Sequence, residues 1–552
     1  MTGVAARGSE SDRFERKFWR VLIIGATCLL LLGGFGFGFL KSLSPLTLLK
    51  SGDRPIAAAT TLIPANSPFT ISLLTRPDRL IALQQAMVRP ELQASARQEA
   101  QQVQQNLSQL TGLDYARDIQ PWMGSEVTFA YTDLDLDRDD SNGQQPGYLL
   151  VFEIAPDAQL QAQSFLQLFW QQQAFLGNPG QATNISGVRV LSSQRSGQPS
   201  NITNVSALVG EQFVVFANDI RALRHGLQSA QTAQNLAQNI AYRERVAALP
   251  ARRIGLAYLD TQLLSRGEKP GALSSNFIAL SIGLTKDGIT LDAGNLTGTS
   301  TVGDSSSLPN EQTLDVLMYA PVTTELAVTG RDLSQFVGSW EKAGLSRELL
   351  PPFLGGVDSA TQLSSIFSGW MQSQYALAKI SGGRASDWIL SVAREATRLD
   401  ELNQAATKAG YSVVPVSIGE TEAVAWTRFK ASTRRRSSAS GLETELLGLH
   451  LQQGDIEIFT SSLAAMETAL AAPRRSLLDA PQFVQAMAPF EAADDAVVYA
   501  DWVAIAPAAV NAVPAIGTIQ SVAAPLMRHV GSVAAALEGE SVHVFIQFAD
   551  LD

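Results

Sequence analysis

The sequence predicts an α+β protein, with an N-terminal transmembrane helix followed by two tandem copies of a mixed, mainly antiparallel-sheet α+β domain. Three observations predict it. Residues 21–40, VLIIGATCLLLLGGFGFGFL, run without a charge. Beyond them, the chain is written twice, segment by segment. Within each copy, adjacent alternating apolar runs outnumber strand–helix–strand crossovers, which favours antiparallel pairing.

At about 1.5 Å per residue, residues 21–40 are long enough to cross the roughly 30 Å hydrocarbon layer as a helix. Arg13, Arg16, Lys17 and Arg20 precede the span, Phe18 and Trp19 sit where an interfacial belt would be, and Lys41, Lys50 and Arg54 follow. The modest positive bias places residues 1–20 in the cytoplasm and the bulk of the chain outside it, as a single-pass membrane protein. KSLSP after the span offers no A-x-A cleavage site, and Cys28 lacks the apolar residue three positions earlier that a lipoprotein signal needs. Gly34 and Gly38 form a G-x-x-x-G pair that could seat a second copy of the helix. Residues 41–60, with Pro45, Gly52 and Pro55, read as a tether. Residues 61–297 form copy 1, GTSTVGDSSSLPNEQ (298–312) is the linker, and 313–552 form copy 2.

The duplication rests on matches that recur in the same order. SPFTISLLTRPDRL (67–80) matches APVTTELAVTGRDL (320–333), and PWMGSEVTFAY (121–131) matches GWMQSQYALAK (369–379). GYLLVFEIAPDAQLQAQ matches DWILSVAREATRLDELN. Phe216 falls over Phe459, Tyr258 over Tyr499, and KDGITLDAG over EGESVHVFI. A long period with two repeats means two copies of one domain rather than a solenoid. In copy 1, strands are predicted at 69–74, 126–131, 148–154, 188–191, 207–209, 213–217, 254–260, 277–284 and 289–296. Helices are predicted at 80–87, 91–110, 157–175 and from about 218. Asp157 is the predicted cap of the 157–175 helix, with Leu160, Phe165, Leu168, Phe169 and Phe175 on its apolar face.

The anchor, the T-G-L-D…D-I-Q-P-W-M-G-x-E segment at 111–126 and the duplicated layout together resemble a cyanobacterial, membrane-anchored family catalogued as domain of unknown function 3352. The resemblance spans most of residues 61–550. It implies an exported protein of a photosynthetic bacterium, facing the periplasm or the thylakoid lumen, and it implies no activity. The second copy departs from the motif, with Gln372 in place of the glycine and Gln374 in place of the glutamate.

Composition narrows the function further. A net charge of −11 argues against nucleic-acid binding, and a single cysteine excludes an internal disulfide and a thiolate metal cluster. His225, His450, His529 and His543 are scattered without metal-ligand or triad spacing. No nucleophile elbow and no P-loop occur, so no cofactor is expected. One S-x-x-K, Ser339 to Lys342, would serve a serine–lysine hydrolase, but its companion words are missing. Asp133, Asp135, Asp137 and Asp139 are a weak calcium candidate, since Arg138 stands where the loop glycine belongs. Arg428, Lys430, Arg434, Arg435 and Arg436 form a basic loop able to hold an anionic partner or headgroup. Trp122, Phe165, Phe169, Trp170 and Trp370 could line an apolar pocket. The expectation is a non-catalytic binding or scaffolding module at the membrane surface with a protein partner. The alternative is a carrier of lipid or another hydrophobic ligand.

Overall fold

Short runs of β-branched and aromatic residues, closed by tight turns, build one long antiparallel sheet. A computed structural model describes residues 56–76, 113–138, 145–193, 204–251, 253–260, 277–285, 287–293, 316–331, 333, 374–381, 387–393, 399–432, 441–490, 496–506, 529–538 and 541–549. The predicted span at 21–40 with Gly34 and Gly38, the helices at 80–87 and 91–110, and the linker at 298–312 lie outside them. So do Asp139, Ser339, Lys342, Trp370, Arg434, Arg435 and Arg436. Among the described residues no helix is long and apolar enough to cross a membrane.

The first ten strands are β1 (Phe69–Leu73), β2 (Met123–Asp133), β3 (Gly147–Ile154), β4 (Gly180–Ile185), β5 (Val188–Ser193), β6 (Val205–Val209), β7 (Phe213–Ala217), β8 (Gly255–Asp260), β9 (Phe277–Leu284) and β10 (Gly288–Ala293). The next ten are β11 (Thr324–Gly330), β12 (Tyr375–Ile380), β13 (Asp387–Ala393), β14 (Ser412–Ile418), β15 (Thr421–Ser432), β16 (Gly441–Gln453), β17 (Ile456–Thr460), β18 (Ala496–Asp501), β19 (Val530–Glu538) and β20 (Ser541–Phe548). In the first lobe the spatial order is β4-β5-β6-β7-β3-β2-β1-β8-β9-β10. The second lobe repeats it as β14-β15-β16-β17-β13-β12-β11-β18-β19-β20. The expectation of two tandem copies left their packing open; β10 pairs with β20, and among the described residues the lobes join in a single open sheet of twenty strands.

The join is symmetric. Ala279 faces Tyr258 and Ala534 faces Tyr499, so β9 and β19 correspond; following the hairpins onward makes Asp292 and His543 equivalent. These two residues face each other across β10–β20, where His543 Nδ1 lies 2.9 Å from Asp292 Oδ1. A pseudo-twofold axis therefore passes between them.

The registers also correct two matches. Ser67 N donates to Pro64 O as Thr324 N donates to Pro321 O, and Pro64 bridges Asn235 as Pro321 bridges Ser476. Pro64, not Pro68, thus corresponds to Pro321. Likewise β20 is shifted by one residue from its sequence match. Alternating strands look alike in several registers, and only the proline turn and the ladder fix them.

Helices cover both faces of each lobe. In the first, α1 (Gln159–Phe175) lies over Ile71, Trp122, Phe152 and Phe216. On the opposite face, α2 (Ile220–Thr232), α3 (Ile240–Ala248) and a 3-10 turn at Ala58–Thr61 cover Ala130, Leu149, Val151 and Val215. In the second lobe, α4 (Leu399–Lys408) takes one face, and α5 (Leu463–Ala471) and α6 (Pro481–Met487) take the other. Burial on both sides explains why β1 and β7 are apolar or small throughout. The end of the predicted tether belongs to this core, since Ala57 and Ala59 are buried. Small residues let that turn press against the sheet and against Gly226, whose missing Cβ would meet Leu62 O at 2.9 Å.

The α1 prediction needs correcting in two respects. Asp157 has φ of 66° and forms the preceding turn; the N-cap is Ala158, without a side-chain bond. The buried stripe is Ala162, Leu166, Phe169 and Trp170, while Leu160, Leu168 and Phe175 are 76%, 63% and 94% exposed. A helix apolar on two sides gives no unique periodicity, so sequence spacing caught Phe165 and Phe169 of the core-facing side but added the exposed Leu160, Leu168 and Phe175.

Candidate functional site

The residues at 113–126 build the site from a single irregular turn. Asp114 caps a π-helical turn at Tyr115–Ile119 by accepting from Arg117 N at 2.8 Å, and Asp118 Oδ2 accepts from Asp114 N at 2.8 Å. Burial alone would raise the Asp118 carboxyl, but its bonds from Arg117 and the Asp114 amide outweigh that and hold it low. The wide turn frees the Asp118 carbonyl to accept from the Trp122 indole at 2.6 Å. Trp122 thereby hangs into the core, fully buried, stacked on Phe165 at 5.2 Å and edge-on to Phe152 at 5.8 Å.

The rest of the motif locks this turn to the sheet. Gly124 leaves room for Glu153, which a Cβ would approach to 3.0 Å, and Glu153 Oε2 accepts from the Ser125 amide and hydroxyl. Glu126 points to the other face. Its Oε1 and Oε2 accept from Ala59 N at 2.8 Å and Ala58 N at 2.6 Å, and Thr128 Oγ1 lies 3.2 Å away. Burial raises the Glu126 carboxyl despite the two amides, and Glu153 adds to the rise. Glu126 is thus a buried clamp on the entering chain. In the second lobe Ala393 stands where Glu153 does, so the carboxylate that Gly124 accommodates has no counterpart there.

Between the π-turn and α1 lies a cleft of about 620 Å³. Leu113, Trp122, Leu160, Phe165, Leu168 and Phe169 supply its apolar walls, with Arg117 and Asp118 at the turn. Ser164 also lines it, but its hydroxyl donates to Leu160 O within the helix at 2.8 Å. The structure therefore brings together Trp122, Phe165 and Phe169 of the predicted apolar set. Trp170 is not among the cleft's lining residues: its indole donates to Ser206 Oγ at 2.8 Å inside the core.

The other predicted residues are placed differently. Asp133 Oδ1 accepts from Asp135 N, and Asp135 Oδ1 accepts from Gln145 N, at 3.1 and 3.2 Å. Burial, with Asp137 adding to it, pushes the Asp135 carboxyl up, and Arg221 sits in the field of Asp135 and Asp137 while donating to Leu136 O. These carboxylates order a hairpin connection, and among the described residues no three acidic, histidine or cysteine side chains group as metal ligands. Arg428, at the base of the basic loop, pairs with Glu445 and lies over the Tyr411 ring at 4.8 Å. Next to it, Phe429 is 70% exposed.

One cluster had no sequence signal. His450 is buried on β16, with Nδ1 2.7 Å from Glu457 Oε1 and Nε2 3.3 Å from Asn403 Oδ1. The same Asn403 oxygen accepts from the Trp426 indole at 2.9 Å. These partners come from α4, β15, β16 and β17, so only the fold assembles them.

No curated protein and no solved structure matches this chain. A family model described as protein of unknown function (DUF3352) matches residues 22–546, and the chain belongs to that family.

Proposed function

We propose that this chain is a membrane-anchored, non-catalytic binding protein whose first lobe takes an apolar ligand, such as an acyl chain, in the cleft beside α1. The observation that carries this reading is the cleft itself. Its volume of about 620 Å³ falls in the roughly 300–1,000 Å³ range of small-molecule sites, and its walls are aromatic and aliphatic. Its charged groups, Arg117 and Asp118, are joined to each other at 2.7 Å, and its serine is bonded back to its helix. A nucleophilic enzyme would need a hydroxyl with a base in reach. An anchor at residues 21–40 would hold the cleft near lipid. We also infer that the two lobes are copies of one ancestral domain. The repeated strand order and the matched Pro64 and Pro321 bridges support this.

A photoactivatable fatty acid, added to membranes carrying the full-length chain, tests the ligand assignment. Peptide mapping is expected to find the label on α1 and around Trp122. Label confined to residues 21–40 would refute it.

A second, scaffolding reading is favoured by one observation. The long β15–β16 hairpin carries exposed Phe429 beside Arg428, and its chain continues through Lys430 to Arg434, Arg435 and Arg436. An exposed aromatic followed in sequence by a run of cations suits an acidic protein surface or anionic headgroups. Reversing the three consecutive arginines to glutamate is expected to abolish such a contact, and an unchanged set of co-purifying partners would remove this reading.

A further inference from the structure

We propose that the free edge strand β4 is an interface through which two copies of this chain pair, continuing the sheet across a two-fold axis at Ala182. The sheet has two ends. At one, β14 carries Pro415, which has no N–H to offer, and proline is a usual guard on an edge. At the other, β4 reads GQATNI, without charge or proline, and its pairing with β5 runs without a bulge. Its first five residues are exposed. Among the described residues, no charge, proline or bulge within β4 guards this edge.

The strand is also held rigid. Ser186 and Gly187, with φ of 54° and 81°, make a two-residue turn that closes the β4–β5 hairpin on Ile185 and Val188. Gln231 Nε2 donates to Ser186 O at 2.8 Å and pins that turn to α2. At the other end Gly180 packs so close to the Trp170 ring that a Cβ would meet it at 2.6 Å.

The geometry selects the partner. Counting from the closing pair, Asn184, Ala182 and Gly180 turn their N–H and C=O groups away from β5. An antiparallel strand of the same sequence, centred on Ala182, sets each Gly180 against the other copy's Asn184 and Ala182 against itself. All three outward residues are then satisfied, and no like charges face each other, as an isologous contact requires. The chain already joins two sheet ends in this manner at β10–β20, about Asp292 and His543. The contact differs from any helix pairing at Gly34 and Gly38.

Sedimentation velocity of the full-length chain in detergent, over a concentration series, tests the proposal. The wild type is expected to dimerise reversibly. Ala182→Lys sets two ammonium groups opposite each other and is expected to weaken the dimer about tenfold or more. Ala182→Pro removes only an outward N–H, so it is expected to do the same while circular dichroism stays unchanged. A wild type that stays monomeric at every concentration overturns the proposal. So does a dimer that both variants leave intact, and so does a different protein bound at β4 and lost in Ala182→Lys.

Discussion

Glu126→Ala tests how the chain is clamped where it enters the fold. The carboxylate is buried and accepts two backbone amides, from Ala58 and Ala59, within 2.8 Å. Each amide left without a partner costs about 1–3 kcal/mol, so the gross loss is about 2–6 kcal/mol. Removing the carboxylate also relieves the burial that raises its pKa, so the loss is expected toward the low end of that range, about 2–3 kcal/mol. Hydrogen–deuterium exchange of the peptide covering 56–61 is the direct assay, because it reports local opening. A loss of that size corresponds to exchange about 30- to 150-fold faster. Glu126→Gln keeps one acceptor and is expected to show about half the energetic effect. The pH dependence has a defined sign. A carboxyl raised in the folded state gives its full stabilisation below the ordinary glutamate value and loses it as pH rises through the raised one. Exchange at 56–61 should therefore quicken on going from mildly acidic to neutral pH in the wild type, beyond the intrinsic trend, and lose that dependence in Glu126→Gln. Exchange in Glu126→Ala within about twofold of wild type would refute the clamp.

Two further predictions concern the second lobe and the join. Asn403→Ala removes the oxygen that accepts from the Trp426 indole and lies 3.3 Å from His450 Nε2, and is expected to cost about 1–3 kcal/mol by urea denaturation, with red-shifted tryptophan emission. An unchanged midpoint would mean that the cluster carries no stability. Gly288→Ala would place a Cβ 2.2 Å from Ile546 O and 2.7 Å from the Phe545 ring, at the β10–β20 join. Backbone cannot yield as a side-chain tip can, so a loss of about 1–3 kcal/mol is expected. Faster amide exchange should appear in both β10 and β20, and a change confined to β10 would contradict the shared ladder.

Much of the fold was legible from strand periodicity. The β2–β3 hairpin, β1, β7, β8 and the β9–β10 hairpin fall where alternating runs predicted them, within a few residues. The lobe fusion was not legible, because β10 and β20 read as ordinary strands whose free edges are invisible in one dimension. The β4 strand went unseen since GQATNI shows no apolar alternation and its first five residues are exposed, only Ile185 being buried. The face of α1 was read only in part because the helix carries apolar residues on two sides. At the candidate site, W-M-G-x-E marked the right place, and its roles became readable only once Glu153, Ala58 and Ala59 were brought against it. The His450 cluster draws on residues 403 to 457 with no fixed spacing, so no motif could have announced it.

Native mass spectrometry of the full-length chain, extracted gently from its own membranes, tests the apolar-ligand assignment most directly. The account predicts a defined extra mass of lipid in the wild type that is lost when Phe165→Ser and Leu168→Gln are made together, with the fold intact. A chain that carries no lipid, or whose lipid survives those two substitutions, would contradict it.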